Sequence, residues 1–401
     1  MLKKIRKQYY FYNLLSNAAI QIFSAVSYIY IIQNGFSYME ANLYLSIFWI
    51  VCTLAEVPSG VLVDSIGARK TLFLGYGMRF LGLICLVWLP NFSVLLISGI
   101  LTALAEALQS GTLETWLTNE GKIKNSEFSI QKIYSKTATY RLSIGLILGY
   151  LGSQLYSKIN IKLPFEISAI LFFSLALLVL FNFAEESLNH SIRKESKESF
   201  FKTYKKSVRS ALNYSKKNKY FWIVLFILLV PVINDIGPSN QWQSYISTNE
   251  NQIDTGLFFV FISISGIVAN FLMSKWEIKK TKIKNIFLAF ALMDICIVIT
   301  LSINLLPPTI FFMHVFLLQV LSTITITILH DDLITEDSVR GTMISIYNTI
   351  EGIIMSITLI LNGYISDRIG FQEAWLIASM FTLLLLSILW VTMILRRRFH
   401  G

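Results

Sequence analysis

Twelve apolar runs follow one another along the chain, at 8–33, 39–63, 71–90, 92–118, 133–157, 163–184, 220–247, 253–275, 284–305, 308–330, 341–364 and 372–395. About 20 consecutive apolar residues, wound as a helix, cross the hydrocarbon layer of a bilayer. Only helices and closed barrels satisfy their backbone hydrogen bonds in that layer, so repeated runs of this length restrict the chain to an all-α bundle of membrane helices. Short joins rich in turn-forming residues separate most of the runs, among them Gln33-Asn34-Gly35, Pro90-Asn91 and Pro307-Pro308. A longer polar stretch divides six runs from six. The expected organisation is a six-helix bundle over 1–184, a cytoplasmic linker over 185–219 and a second six-helix bundle over 220–401.

Composition excludes the soluble alternative, because 54% hydrophobic and 14% charged residues over 401 positions leave too little polar surface for a globular chain in water. Cys52, Cys85 and Cys296 all fall inside apolar runs, so neither a disulfide framework nor a cysteine metal site is indicated. The basic opening, Lys3, Lys4, Arg6 and Lys7, is followed by no small-residue cleavage site and belongs to the first span rather than to a signal peptide. The net charge of +10 is informative through its placement. With the N-terminus on the cytoplasmic side, thirty of the 34 Lys and Arg face inward; Lys158, Lys162 and Arg368 face outward, and Arg79 lies in mid-helix. That asymmetry is what orients spans with positive loops inside, and it puts both termini in the cytoplasm of a multi-pass cell-membrane protein. The basic balance then implies anionic lipid headgroups as partners, not nucleic acid.

The stretch Glu56 to Lys70 packs charge, Gly and Pro between two apolar runs, with Asp64 to Lys70 expected as a tight turn. Within it, Gly60, Asp64, Gly67, Arg69 and Lys70 keep a spacing with a physical logic. Gly60 permits the close approach of another helix, Asp64 offers an anion to a helix N-terminus, Gly67 permits the turn, and Arg69 and Lys70 face headgroups or Asp64. This pattern, between the second and third of twelve spans, resembles the loop signature of the major facilitator superfamily, and the topology resembles that family over the whole chain. The resemblance implies a gate in which this loop meets the start of the eleventh helix near Arg340, locking the cytoplasmic side. A second copy, Gly363, Asp367 and Gly370, stands at the end of the eleventh run. Inverted repeats within each half of such folds place that copy on the outer face.

Polar residues within the spans are the next candidates, since ionisable groups in hydrocarbon are costly and mark transport routes. Asn17, Gln21, Ser24 and Tyr28 recur at helical spacing and are expected to share one face lining a substrate cavity. The fourth run holds Glu106, Gln109 and Glu114, with Arg141 as a partner for Glu114 and Arg79 for Glu56 or Glu106. Left unpaired, Glu106 would suit proton loading. In the seventh run Pro231 and Pro238 bracket Asn234 and Asp235, and a discontinuous helix exposing these two at a break is expected. Glu351, with Asn348 a turn before it, completes the coupling and cavity candidates. By family placement the third and ninth helices are peripheral, which ranks Arg79 and Asp294 lower. One departure from the drug and proton antiporters of the family is the lack of an arginine between Leu101 and Asn119.

No phosphate-cradling loop, HExxH or GxSxG sequence occurs, so no enzyme, cofactor or metal is indicated; His330, Asp331 and Asp332 are expected as a solvated helix end. The implied function is secondary active transport by alternating access, resembling proton-coupled efflux of small amphipathic or drug-like compounds, with protons or Na+ as coupling ion and a monomer as the unit. The alternatives are proton-linked transport of a physiological solute such as a sugar, peptide or metallophore, and a non-transporting scaffold or lipid-handling protein.

Overall fold

The computed structural model describes residues 2–124, 131–183, 209, 213–216, 221–248, 254–276 and 282–398. The side chain of Asp64 and nearly all of the 185–219 linker lie outside the described residues, and with them the acidic group of the first motif and the expected amphipathic linker. Every regular element described is helical: α1 Leu2–Ser24, α2 Ser27–Gln33, α3 Tyr38–Ile66, α4 Ala68–Trp88, α5 Phe92–Gln109, α6 Thr112–Lys124, α7 Gln131–Lys158, α8 Leu163–Asn182, α9 Phe221–Thr248, α10 Thr255–Lys275, α11 Ile283–Ser302, α12 Phe311–Ile328, α13 Asp337–Ile369 and α14 Phe371–Arg398. Among the described residues, ten helices or joined helices are long and apolar enough to cross a membrane, and eleven if the bent pair α1 and α2 is one span. The helix α7 has the length, at 28 residues, but its many polar residues keep it out of that group.

Two compact units divide the chain. The first holds Met1–Phe36, Leu43–Lys194 and Asn251–Val260. In it α4 packs on α5 and α8, and α1 packs on α7 and α8, around Leu72, Tyr30, Phe165 and Phe172, all fully buried. Gly152 makes the α1 contact possible, because a Cβ there would stand 1.6 Å from the carbonyl oxygen of Ile22. The second unit holds Ser37–Asn42, Glu195–Glu250 and Phe261–Gly401. Its core runs through Phe221, Phe287, Ile295 and Ile324, and α9 packs on α14 and α13. Both units turn large apolar side chains outward, such as Trp88, Phe181, Phe271 and Leu384. In water such surfaces would associate; in a bilayer they meet hydrocarbon.

Three local expectations need correction. The join after α3 is one residue long: α3 continues through Asp64 to Ile66, Gly67 alone turns the chain at φ 87°, and α4 begins at Ala68. A positive φ with ψ near 163° is open to glycine and to almost nothing else, which is why a single residue suffices. The face from Asn17 to Tyr28 is interrupted, because α1 ends at Ser24 and α2 departs at 44°, carrying Tyr28 with it. The helix α9 is continuous through Pro231 and Pro238. The prolines remove two backbone donors, yet packing on several helices holds the remaining ladder together, so Asn234 and Asp235 sit on an unbroken helix.

Candidate functional site

Asn234 and Asp235 are neighbours in α9, and adjacent helical residues point about 100° apart. They therefore serve different sides of the helix. Asn234 is fully buried: its Nδ2 donates to Asp294 Oδ2 at 2.8 Å, and its Oδ1 accepts from Ser379 Oγ at 2.7 Å. Asp235 instead borders a cavity of about 510 Å³ and accepts from Ser239 Oγ one helical turn on.

His314 joins the two acids. It lies one turn into α12, which starts after Pro307-Pro308 and a short 3-10 turn, and its side chain has no exposed surface. Nδ1 stands 2.6 Å from Asp294 Oδ1, and Nε2 stands 3.3 Å from Asp235 Oδ1. The first contact is a hydrogen bond; the second is a charge contact without hydrogen-bond alignment. An ionised carboxylate only accepts, so Asp294 holds the Nδ1–H tautomer and leaves Nε2 facing Asp235 as the nitrogen that gains or loses a proton. A buried aspartate thus orients an imidazole whose free side looks toward a cavity-lining aspartate.

The cavity lies wholly within the second unit. Glu351 and Asn348 reach it from α13, Gln319 and Ser322 from α12, and Trp242, Phe311 and Tyr347 supply aromatic walls. Tyr347 Oη donates to Glu351 Oε1 at 3.3 Å. Of the expected residues, Asp235, Glu351 and Asn348 come together here, while Asn234 stands behind the wall. The sequence context of His314 does not single it out, and the placement of the ninth helix ranks Asp294 low as peripheral. The available signal was one ionisable residue inside each of two successive spans. His330 also lines the cavity, and Asp332 pairs with Lys284 Nζ at 2.6 Å.

In the first unit Glu106, Glu114 and Arg141 each have a partner among the described residues. Glu106 forms an ion pair with Arg79, which is buried and stacked 5.8 Å from the Phe172 ring, so Glu106 is not the unpaired acid expected for proton loading. Glu114 accepts from Tyr9 Oη and Asn13 Nδ2, each at 3.3 Å, while Arg141 Nε donates to Asn17 Oδ1 at 3.1 Å in place of the expected Glu114 contact. Gln21 Oε1 accepts from Ser24 Oγ, its side chain rests against Gly145, Tyr28 is buried, and Gln109 packs on Gly75. At the first motif, a Cβ on Gly60 would meet nothing within 4 Å, Arg69 is half-buried and Lys70 exposed. Arg340 Nη2 donates to the Ile334 carbonyl at 3.4 Å. No group of three or more metal-ligating side chains occurs among the described residues.

Residues 9–357 match the family model of the Major Facilitator Superfamily. The chain is 23% identical over 395 residues to the uncharacterized MFS-type transporter YxaM of Bacillus subtilis (strain 168), covering 94% of this chain and 93% of that protein. Its fold resembles a mutant form of the nucleoside transporter NupG with a TM-score of 0.76 at 12% identity, covering 96% of this chain and 99% of that one. It also resembles the peptide transporter POT in complex with sulfate, with a TM-score of 0.68 at 14% identity over 97% and 94% of the two chains. Identities this low speak for the fold alone. The family pattern spans most of the sequence and the helical architecture agrees with it, so this chain belongs to the Major Facilitator Superfamily of multi-pass membrane transporters.

Proposed function

We propose that the protein is a proton-coupled exporter of small amphipathic compounds working by alternating access. The observation that carries this is the cavity bordered by Asp235 and Glu351 and backed by the buried His314 and Asp294. Ionisable groups inside a membrane protein are retained where they move charge, and here a protonatable chain runs from the interior to a ligand-sized space. Asp235 and Glu351 take the coupling role; Glu106, held by Arg79, is structural. The fuller picture is two six-helix halves, twelve crossings with α7 as the fifth, both termini in the cytoplasm of the cell membrane, and a monomer. The first motif, with Asp64 and Arg340, acts as the cytoplasmic gate.

The test is transport in proteoliposomes with an imposed pH gradient, using cationic and neutral dyes as cargo. Efflux should follow the gradient in the unchanged protein and fail to do so in Asp235→Asn. Transport indifferent to the gradient, or unchanged in that variant, would overturn the assignment.

A second reading is proton-linked movement of a polar physiological solute. It is favoured by the hydrogen-bonding groups Gln319, Ser322 and Asn348 on the cavity wall and by the likeness to transporters described as carrying nucleosides and peptides. Uptake of labelled nucleosides or dipeptides by the same liposomes separates it from export.

A further inference from the structure

We infer that the first unit binds an organic carboxylate, its acid group held by Arg141 and Asn17 and its apolar body laid on the ring of Tyr140. The inference rests on the transporter assignment and gives the amphipathic cargo a negatively charged end.

Arg141 is an exposed cation well inside a long helix of the first unit. It stands about 100° round α7 from the exposed apolar residues Ile147 and Leu151, so it does not share their face. A guanidinium is costly in hydrocarbon, and such a residue faces a watered space and a partner. Here the protein supplies only part of one. Arg141 Nε donates to Asn17 Oδ1 at 3.1 Å, and among the described residues the guanidinium makes no ion pair and no other hydrogen bond. Asn17 is 6% exposed, and its Nδ2, a donor, has no partner. Two side chains already bonded to each other therefore hold unspent donors, and an anion is the group that takes several donors at once.

The neighbouring acid does not answer them. Glu114 and Arg141 both act electrostatically on Tyr9, which puts them in one neighbourhood, but Glu114 takes its hydrogen bonds from Tyr9 Oη and Asn13 Nδ2. Lys136 is also exposed, one turn before Tyr140, with its Nζ 5.5 Å from the centre of the Tyr140 ring. Lys136 and Arg141 against Glu114 leave the local balance positive. Tyr140 precedes Arg141 directly, is 41% exposed and meets Tyr10 of α1 edge-on at 6.4 Å. A ring braced from the next helix and open on the side of a cation is a platform for the apolar body of an acid. The acid is a carboxylate rather than a phosphate, because one planar fork matches two oxygens. Lys136, turned onto the ring, adds field and not a second fixed contact.

The experiment measures 2-naphthoate binding to the purified full-length chain in detergent by equilibrium dialysis, with 2-naphthalenemethanol as an uncharged probe of the same shape. The carboxylate should bind about tenfold more tightly than the alcohol, and the gap should narrow as salt rises. Arg141→Gln should remove the preference and leave the alcohol unchanged, while Arg141→Lys, which keeps the charge without the fork, should recover part of it. Asn17→Ala should weaken the carboxylate alone. Size-exclusion profiles identify any variant that fails to fold, and the preference in the unchanged chain still decides the matter. Equal binding of the two probes, or a preference that persists in folded Arg141→Gln, would overturn the inference. So would displacement of 2-naphthoate by an equal concentration of inorganic phosphate or of phosphatidylglycerol in mixed micelles, which would assign the fork to a phosphate group. Carboxylate binding at Arg141 without gradient-driven movement of 2-naphthoate in proteoliposomes would count against the exporter assignment and leave the site intact. Gradient-driven export of dyes by a chain with no carboxylate preference would remove the site and leave the exporter.

Discussion

Asp367 receives the backbone N–H of Tyr38 on one carboxylate oxygen at 2.8 Å, and its other oxygen receives Met39 N–H at 3.1 Å. The first turn of α3, which packs with the second unit, thus has two of its unsatisfied donors closed by one acid. Gly363, one turn earlier on α13, makes room for it: a Cβ there would lie 2.8 Å from the Met39 Cα. The glycine and acid spacing of the second motif copy therefore performs the helix-capping task that its residue types imply. Asp367→Asn should lower stability by about 0.5–2 kcal/mol through the lost charged cap. Gly363→Leu should cost more, since the obstacle is backbone. Thermal unfolding in detergent measures both, and an Asp367→Asn variant indistinguishable from the parent would show that the cap carries no energy.

The two motif copies also share a backbone turn. Gly67 has φ 87° and ψ 163°, and Gly370 has φ 110° and ψ 153°. Each joins two long helices by itself. Alanine at either position should cost about 1–3 kcal/mol, the usual strain for a side chain forced into this region. At Gly370 the Glu373 carboxylate would also have to move, because it lies 2.3 Å from a Cβ there. Alanine at Gly77, a helical glycine whose added Cβ meets nothing within 4 Å, is the control and should be neutral or mildly stabilising. Equal midpoints for all three alanine variants would remove the conformational explanation.

Arg79 and Glu106 lead to a third expectation. The arginine is buried at 7% side-chain exposure, whereas the glutamate is 43% exposed, so the arginine is the partner that depends more on the pair. Removing only the acid strands a buried guanidinium, and Glu106→Gln should cost about 1–3 kcal/mol on that account. Replacing both, as Arg79→Met with Glu106→Gln, should recover most of the loss. The double variant should also keep gradient-driven transport. A double variant that folds but no longer responds to the pH gradient would return Glu106 to the coupling machinery.

What could be read from the sequence follows from how local each feature is. The helix class came from run length, and Gly67 as the turning residue came from chemistry within its own neighbourhood. The reach of α3 through Asp64 did not, because a polar residue in the last turn of a helix looks like a loop residue. Pro231 and Pro238 suggested a broken helix by their intrinsic preference, and tertiary packing overrode it. The pairing of His314 with Asp294 and Asp235 links three separate spans, and no spacing rule connects residues 79 positions apart in sequence. Glu106 and Arg79 were both visible as ionisable residues in spans, but which of several acids the arginine would choose is a matter of helix packing.

The twelfth crossing depends on α7, whose many polar residues set it apart from the more apolar helices. Its exposed apolar residues Ile147 and Leu151 fall one helical turn apart on a face suited to lipid, while Thr137 and Ser153 are buried and Arg141 is bonded to Asn17. Polar groups on a span cost little when neighbouring helices satisfy them, so α7 should cross the membrane despite its composition. Crossing has a consequence for every later loop, since omitting one span inverts the sidedness of all that follow. With the native cysteines replaced, single cysteines at Asn34, Asn91, Asn160 and Asn304 should react with an impermeant maleimide on intact cells. A cysteine at Thr335 should react only after permeabilisation. Labelling of Thr335→Cys on intact cells, with Asn160→Cys protected, would show that α7 stays on one side.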